Sequence, residues 1–282
     1  FVTWEVRADF VAPLTGLVAK QLLTRELGRS LDVLAEIART EPPSTLAPPP
    51  ARDLDETSEL PRLYEVAERI LQEQRTLADE LLRKNDPRGW FTRSYQHVTT
   101  LQLRECRRGR FSHPAWVLRL IPVFHRYYMD SLAPSLGRAE GAVEDHWREA
   151  FRRMRRRRVR RSSRYLTMAR CTLFGMIAHI EEDLPRALAE VYLAHYRGRC
   201  DYVRFRADYL AMEPIFREAG ERLLFGELSR WQIPPPTLVL MELPVEVRSA
   251  VMDRQLYDIP TNRVRAFGRG ERIARLAEET AA

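Results

Sequence analysis

From Leu60 to Leu82 the apolar residues return every three or four positions: Leu60, Leu63, Tyr64, Ala67, Ile70, Leu71, Leu77, Ala78, Leu81 and Leu82, with charges between them. Only a helix gathers such positions on one side, because its side chains revisit a face every 3.6 residues while those of a strand alternate. The spacing predicts a long amphipathic helix with Ser58 as its N-cap. Asn85, Asp86, Pro87 and Gly89 end it.

The same reading continues downstream. Trp90, Phe91, Tyr95, Val98 and Leu101 mark a second helix that stops near Gly109. Ser112 is placed to cap a third, Pro114 to Leu132, which Pro122 should kink. Val143, Trp147, Ala150, Phe151 and Met154 give a fourth. Tyr165 to Ile180 is apolar on nearly every side and is expected at the centre of the molecule. Pro185 starts or redirects the next helix, and others are expected at 201–228, 245–257 and 262–279, punctuated by Pro234, Pro235 and Pro236. No alternating strand pattern persists. The fold class is therefore all-α, a multi-helix bundle with a central buried helix at about 165–180.

Prolines 42, 43, 48, 49 and 50 make the stretch 41–50 neither helix nor strand. The expected organisation is an N-terminal helical segment at 1–40, a Pro-rich linker at 41–58 and a helical bundle domain at 59–282. With 45% hydrophobic residues in 282, the chain can bury a sizeable core. Its longest apolar stretch is broken by Arg170, so no membrane span is expected. The beginning at Phe1 lacks the layout of a secretion signal. Cys106, Cys171 and Cys200 are few, odd in number and far apart, which suits reduced thiols and a cytoplasmic location.

The formal charge is +7, yet Lys20 and Lys84 are the only lysines among 46 basic residues. That bias fits a GC-rich genome, carboxylates on the same helices offset much of the charge, and no nucleic-acid recognition motif accompanies it. The run from Arg148 to Arg164 holds ten arginines, which must stay wet or paired. Two readings stay open. The run is a solvated helix end, or Arg155, Arg156, Arg157 and Arg158 bind an anion, such as a phosphate-bearing ligand or an acidic carrier protein.

The sharper feature is Gly175-Met176-Ile177-Ala178-His179-Ile180-Glu181-Glu182-Asp183-Leu184-Pro185. His179 ends the most apolar helix, and Asp183 follows by four residues, on the same face if the helix continues. A buried imidazole and carboxylate must pair, bind a metal or do chemistry. Three readings stand: a structural pair, an acid–base dyad, or two ligands of a metal whose other ligands lie on distant helices. Asp130 is a further candidate catalytic carboxylate, and Tyr95, His125, Tyr128 and Tyr209 are candidate pocket residues. No nucleotide-cofactor motif, zincin pattern or nucleophile elbow is present.

These residues carry a resemblance. Trp90-Phe91, Tyr95, Val98-Thr99, then Gly109-x-Phe111-x-x-Pro114, Phe124, Tyr128-x-Asp130, Trp147, Phe151 and the Gly175–Pro185 segment together resemble domain-of-unknown-function family 5995, over about 90–257. The family's hallmark is similar to Gly-Met-Asn-Ala-His-Ile-Asn-x-Asp-Leu-Pro. Ile177 and Glu181 stand here where the family has Asn. The resemblance implies a bacterial helical protein in which His179, Asp183, Leu184, Pro185 and Asp130 are the positions kept polar or fixed.

The expected function is an enzyme of specialised metabolism acting on a lipophilic small molecule by acid–base chemistry: cyclisation, isomerisation, elimination or hydrolysis. The alternative is a non-catalytic binding or scaffold protein that docks an acidic or phosphate-bearing partner on the arginine run.

Overall fold

The computed structural model describes residues 54–155, 164–243 and 258–280. The expected segment 1–40, most of the linker, the helix at 245–257 and Arg156, Arg157 and Arg158 lie outside the described residues. The chain divides into two compact units. The described part of the larger comprises 54–155, 164–234 and 262–280; that of the smaller comprises 235–243 and 258–261.

In the larger unit the periodic segment forms α1, Leu60–Arg83, and burial follows its stripe through Ala67, Ile70, Leu71, Leu77, Ala78 and Leu81. Asn85 turns into the left-handed region at φ 55°, ending the helix before α2, Gly89–Arg107. Next come α3, Pro114–Ser135, α4, Asp145–Arg155, and α5, Arg164–Ala178. A π-helical turn, His179–Asp183, leads into α6, Leu184–His195. The helix expected at 201–228 is broken into a 3-10 turn, Tyr202–Phe205, then α7, Arg206–Ala211, and α8, Glu213–Glu227. In the smaller unit, α9 spans Pro235–Glu242. The last helix, α10, covers Ile259–Thr280, with its residues from Asn262 in the larger unit. No strand occurs among the described residues, and none of their helices is long and apolar enough to cross a membrane. The architecture is an all-α multi-helix bundle.

Three sequence expectations resolve differently. Ser58 does not cap α1; it sits inside a 3-10 turn, Thr57–Glu59, that precedes the helix. Nor does Ser112 cap α3. Asp208 of α7 accepts the backbone N–H groups of Ser112 and His113 at 2.8 and 2.7 Å, and a carboxylate is the stronger partner for the positive end of a helix. In α5, burial is confined to one stripe, Met168, Cys171, Gly175 and Ala178, while Leu166 is 55% exposed. An all-apolar sequence says that a helix could be covered on every side, not that it is.

The expected linker ends on the bundle. Glu56 is buried, and Arg119 donates to it and, at 2.6 Å, to the Tyr196 hydroxyl, which in turn donates to Glu56 at 3.0 Å.

Gly175 sets the spacing around the site. A Cβ there would stand 2.2 Å from the Phe91 ring, so α2 and α5 meet with that ring laid on bare backbone. Gly175→Ala should therefore lower stability by about 1–3 kcal/mol, the range of overpacking a filled core. Urea unfolding measures it, and a variant as stable as the parent would show that Phe91 has room to move.

Candidate functional site

The site begins with a backbone defect. From Arg164 to His195 the chain is helical throughout, and Pro185 falls inside that run. Proline lacks the N–H that would reach the Glu181 carbonyl, and its ring crowds that oxygen. The helix widens here, so that the Leu184 N–H reaches back to the His179 carbonyl, five residues away. Arg269 of α10 donates a guanidinium N–H to the Glu181 carbonyl. This wide turn directs His179 and Asp183 inward, where both are buried.

Asp183 has no exposed surface, and both its oxygens are used twice. Oδ2 accepts from His179 Nδ1 at 2.8 Å and from the Trp147 indole N–H at 2.9 Å. Oδ1 accepts from His146 Nε2 at 3.0 Å and from Arg186 Nη2 at 2.7 Å. Burial alone would raise its pKa, but the hydrogen bonds and charges of His146 and His179 outweigh it and hold the carboxyl far below its ordinary value. Asp183 is thus an anion, and an anion only accepts. His179 must carry its proton on Nδ1 when neutral, which leaves the lone pair on Nε2.

His179 Nε2 is buried and has no hydrogen-bond partner. Rings surround it: Phe124 at 3.9 Å between centroids, Tyr95 at 5.1 Å, Phe91 at 5.6 Å and Trp147 at 5.9 Å. The Tyr95 hydroxyl and His125 Nδ1 are likewise buried without partners. Burial, with Asp183 and Tyr128 nearby, raises the Tyr95 pKa well above that of free tyrosine, so the hydroxyl keeps its proton. The Tyr128 hydroxyl instead meets that of Thr92 at 2.8 Å. His113 shows what a purely structural histidine looks like here: its Nδ1 meets Asp208 at 2.8 Å, and its Nε2 accepts from Arg204 at 3.1 Å.

The sequence candidates separate on this map. His179, Asp183, Tyr95, His125 and Tyr128 lie in or beside one aromatic cluster. Asp130 does not join them; its side chain is 61% exposed and lies 3.9 Å from Arg126. Tyr209 is buried elsewhere, donating to the Arg263 carbonyl at 2.6 Å and packed on Phe267. Arg148 pairs with Asp145, and Arg152 and Arg153 pair with Glu149, all on α4 itself. A groove of about 610 Å³ lies apart from His179, between α1 and α2, lined by Leu71, Arg75, Leu103, Arg104, Arg107 and Arg108 among others. Among the described residues no group of three His, Cys, Asp or Glu could hold a metal. Asp183 in particular has spent the roughly four acceptor directions of a carboxylate on N–H donors. The residues therefore do not fit a metal shared by His179 and Asp183. Burial pushes the Cys106 thiol up to about 12 and that of Cys171 to about 11, so neither serves as a thiolate nucleophile.

Sequence reasoning missed His146, Trp147 as a donor, and Arg186. Trp147 reads as an apolar core residue, and nothing in the spacing ties α4 to a carboxylate 36 positions later.

Asp183→Asn should destabilise the protein by about 3–5 kcal/mol at neutral pH, because it strands buried donors around a group that no longer balances them. The parent's advantage is complete above the ordinary carboxyl value of 3.8 and is lost as pH falls through the depressed folded value. Urea titrations of both proteins across acid pH should show the gap closing below about pH 4. A gap that does not depend on pH would mean that Asp183 is not ionised in the fold.

No curated protein and no solved structure matches this chain. One family model does, described as a family of unknown function (DUF5995), over residues 67–257. The match reaches further toward the N-terminus than the motifs suggest, taking in α1 from Ala67 and, with it, Glu73 beside His125. It contains the whole His179–Asp183 turn together with α4 and α6 that complete it, and on that extent the chain belongs to DUF5995.

Proposed function

We propose that this chain is an enzyme of specialised metabolism that performs acid–base chemistry on a lipophilic small molecule, with His179 as the group that moves the proton. The observation that carries the reading is the unpartnered Nε2 of His179, buried among rings while Nδ1 is fixed by Asp183. A buried polar atom left without a partner costs about 1–3 kcal/mol. Both nitrogens of His113 are met, whereas this one is left open on a ring held by a carboxylate with four donors.

The chemistry follows from that arrangement. Nε2 accepts a proton from an acidic carbon or hydroxyl of the substrate, giving an imidazolium whose charge faces the Asp183 carboxylate. The same nitrogen returns the proton at a second atom of the substrate or to its leaving group, so the enzyme ends as it began. Asp183 is a positioning residue, holding tautomer and ring orientation. Tyr95 supplies a hydroxyl donor at the edge of the cluster. Phe124, partly exposed and nearest to the imidazole, is the side chain past which a substrate enters. Cyclisation, isomerisation, elimination and hydrolysis all use such a group. A cytoplasmic setting suits the three buried free thiols.

The alternative of a partner docked on Arg155–Arg158 rests mainly on residues beyond the described ones. The arginines before them are held by carboxylates of their own helix, which favours the enzymatic reading.

Fractionated apolar metabolite extracts, incubated with the purified protein and followed by mass spectrometry, provide the test. A species consumed by the parent should be consumed at least about 100-fold more slowly by His179→Gln, with the melting temperature retained. Turnover that survives in the folded variant would remove His179 from the chemistry.

A further inference from the structure

A second imidazole–carboxylate pair faces the first. His125 of α3 holds Nε2 3.3 Å from the Glu73 carboxylate of α1, and its Nδ1 is buried without a partner. The logic that fixes His179 applies again. A carboxylate accepts, so Nε2 is the protonated nitrogen and Nδ1 is left with a lone pair. Burial lowers the His125 pKa more than Glu73 raises it, which favours the neutral ring. Tyr95 lies near both imidazoles, its ring centroid 5.1 Å from His179 and 6.5 Å from His125, with a hydroxyl that also lacks a partner.

The cluster therefore offers two acceptors and one donor. Its charges are the carboxylates Asp183 and Glu73, and the cation described beside Asp183, Arg186, directs its guanidinium to Asp183 at 2.7 Å and to Glu144 at 2.9 Å. A carboxylate or phosphate would bring acceptors to two lone pairs, with no cation to offset its desolvation. A quaternary ammonium would suit the rings but has no hydrogen for the imidazoles and no acceptor for Tyr95. A hydroxyl group answers both needs, since it donates once and accepts twice. We infer that the ligand of this site is an apolar molecule bearing a hydroxyl, which donates to His179 or His125 and accepts from Tyr95. The inference rests on the acid–base reading for the importance of His179, but it concerns recognition and is tested separately from turnover.

Calorimetric titration with 1-decanol, decanoate and decyltrimethylammonium, matched in chain length, discriminates the head groups. The parent protein should bind decanol and bind the two ions at least about 10-fold more weakly, the order of one buried hydrogen bond. Tyr95→Phe should bind decanol about 10-fold more weakly. It should melt no lower than the parent without ligand, because the hydroxyl it loses is unpartnered. Either ion binding as tightly as decanol, no binding by any of the three, or undiminished decanol binding in Tyr95→Phe overturns the inference. Preferential decanol binding in a protein that turns nothing over would uphold the alcohol site and discard the enzyme. Turnover of substrates without a hydroxyl would do the reverse.

Discussion

Four N–H donors converge on one carboxylate, and the interior of this protein is arranged around that fact. An ionised carboxyl with no exposed surface would be intolerable alone. Asp183 is stable because α4 brings His146 and Trp147, the π turn brings His179, and α6 brings Arg186. Each donor also does something else. The Trp147 ring lies 5.3 Å from Phe151 and 4.9 Å from Tyr128, extending the bracing into the aromatic core. Arg186 reaches onward to Glu144 and lies over the Tyr127 ring at 4.5 Å. Two elements far apart in sequence are thereby joined at a single ion.

That convergence depends on the π turn, and the turn on Pro185. The proline removes one backbone bond, and Arg269 donates to the Glu181 carbonyl. α10 comes close to this turn. At the next residue, Gly270, a Cβ would lie 2.4 Å from the Tyr202 hydroxyl and 3.0 Å from the Pro185 carbonyl. A proline that opens one helix and a glycine that admits another are thus parts of one device. The cost of widening the helix is met locally, so the wide turn persists and His179 stays in place.

Much of the helical order was legible because periodicity reports directly on which face is buried. The stripe of α1, the Asn85 turn and the pairing of His179 with Asp183 are all local relations of three or four residues. What lay beyond reach was non-local. Asp208 capping α3, and His146 and Trp147 closing on Asp183, join residues roughly 36 to 96 positions apart, with no spacing to announce them. Asp130 illustrates a local error. His125 and Tyr128 are three apart and share a face of α3, while Asp130, two beyond Tyr128, falls on the far side. A place in the family motif says nothing of which face a residue takes. The partial burial of α5 has another reason: composition records what could be covered, not what arrives to cover it.

The same arithmetic of donors and acceptors separates structure from function within this one chain. His113 and His179 each give Nδ1 to a buried aspartate at 2.8 Å. In His113 the far nitrogen meets Arg204, so every polar atom of the ring is used to hold the start of α3 against α7 and the 3-10 turn before it. In His179 the far nitrogen meets aromatic carbon, in company with two other unsatisfied groups drawn from α2 and α3. Stability alone gives no reason for three such atoms to gather beside an imidazole held by a carboxylate with four donors. Aromatic walls exclude water and so make any hydrogen bond formed there stronger. Asp183 removes the freedom of the imidazole to choose its tautomer. A proton acceptor fixed in tautomer, shielded from water and left unpaired is poorly suited to holding helices together and well suited to meeting the proton of a ligand.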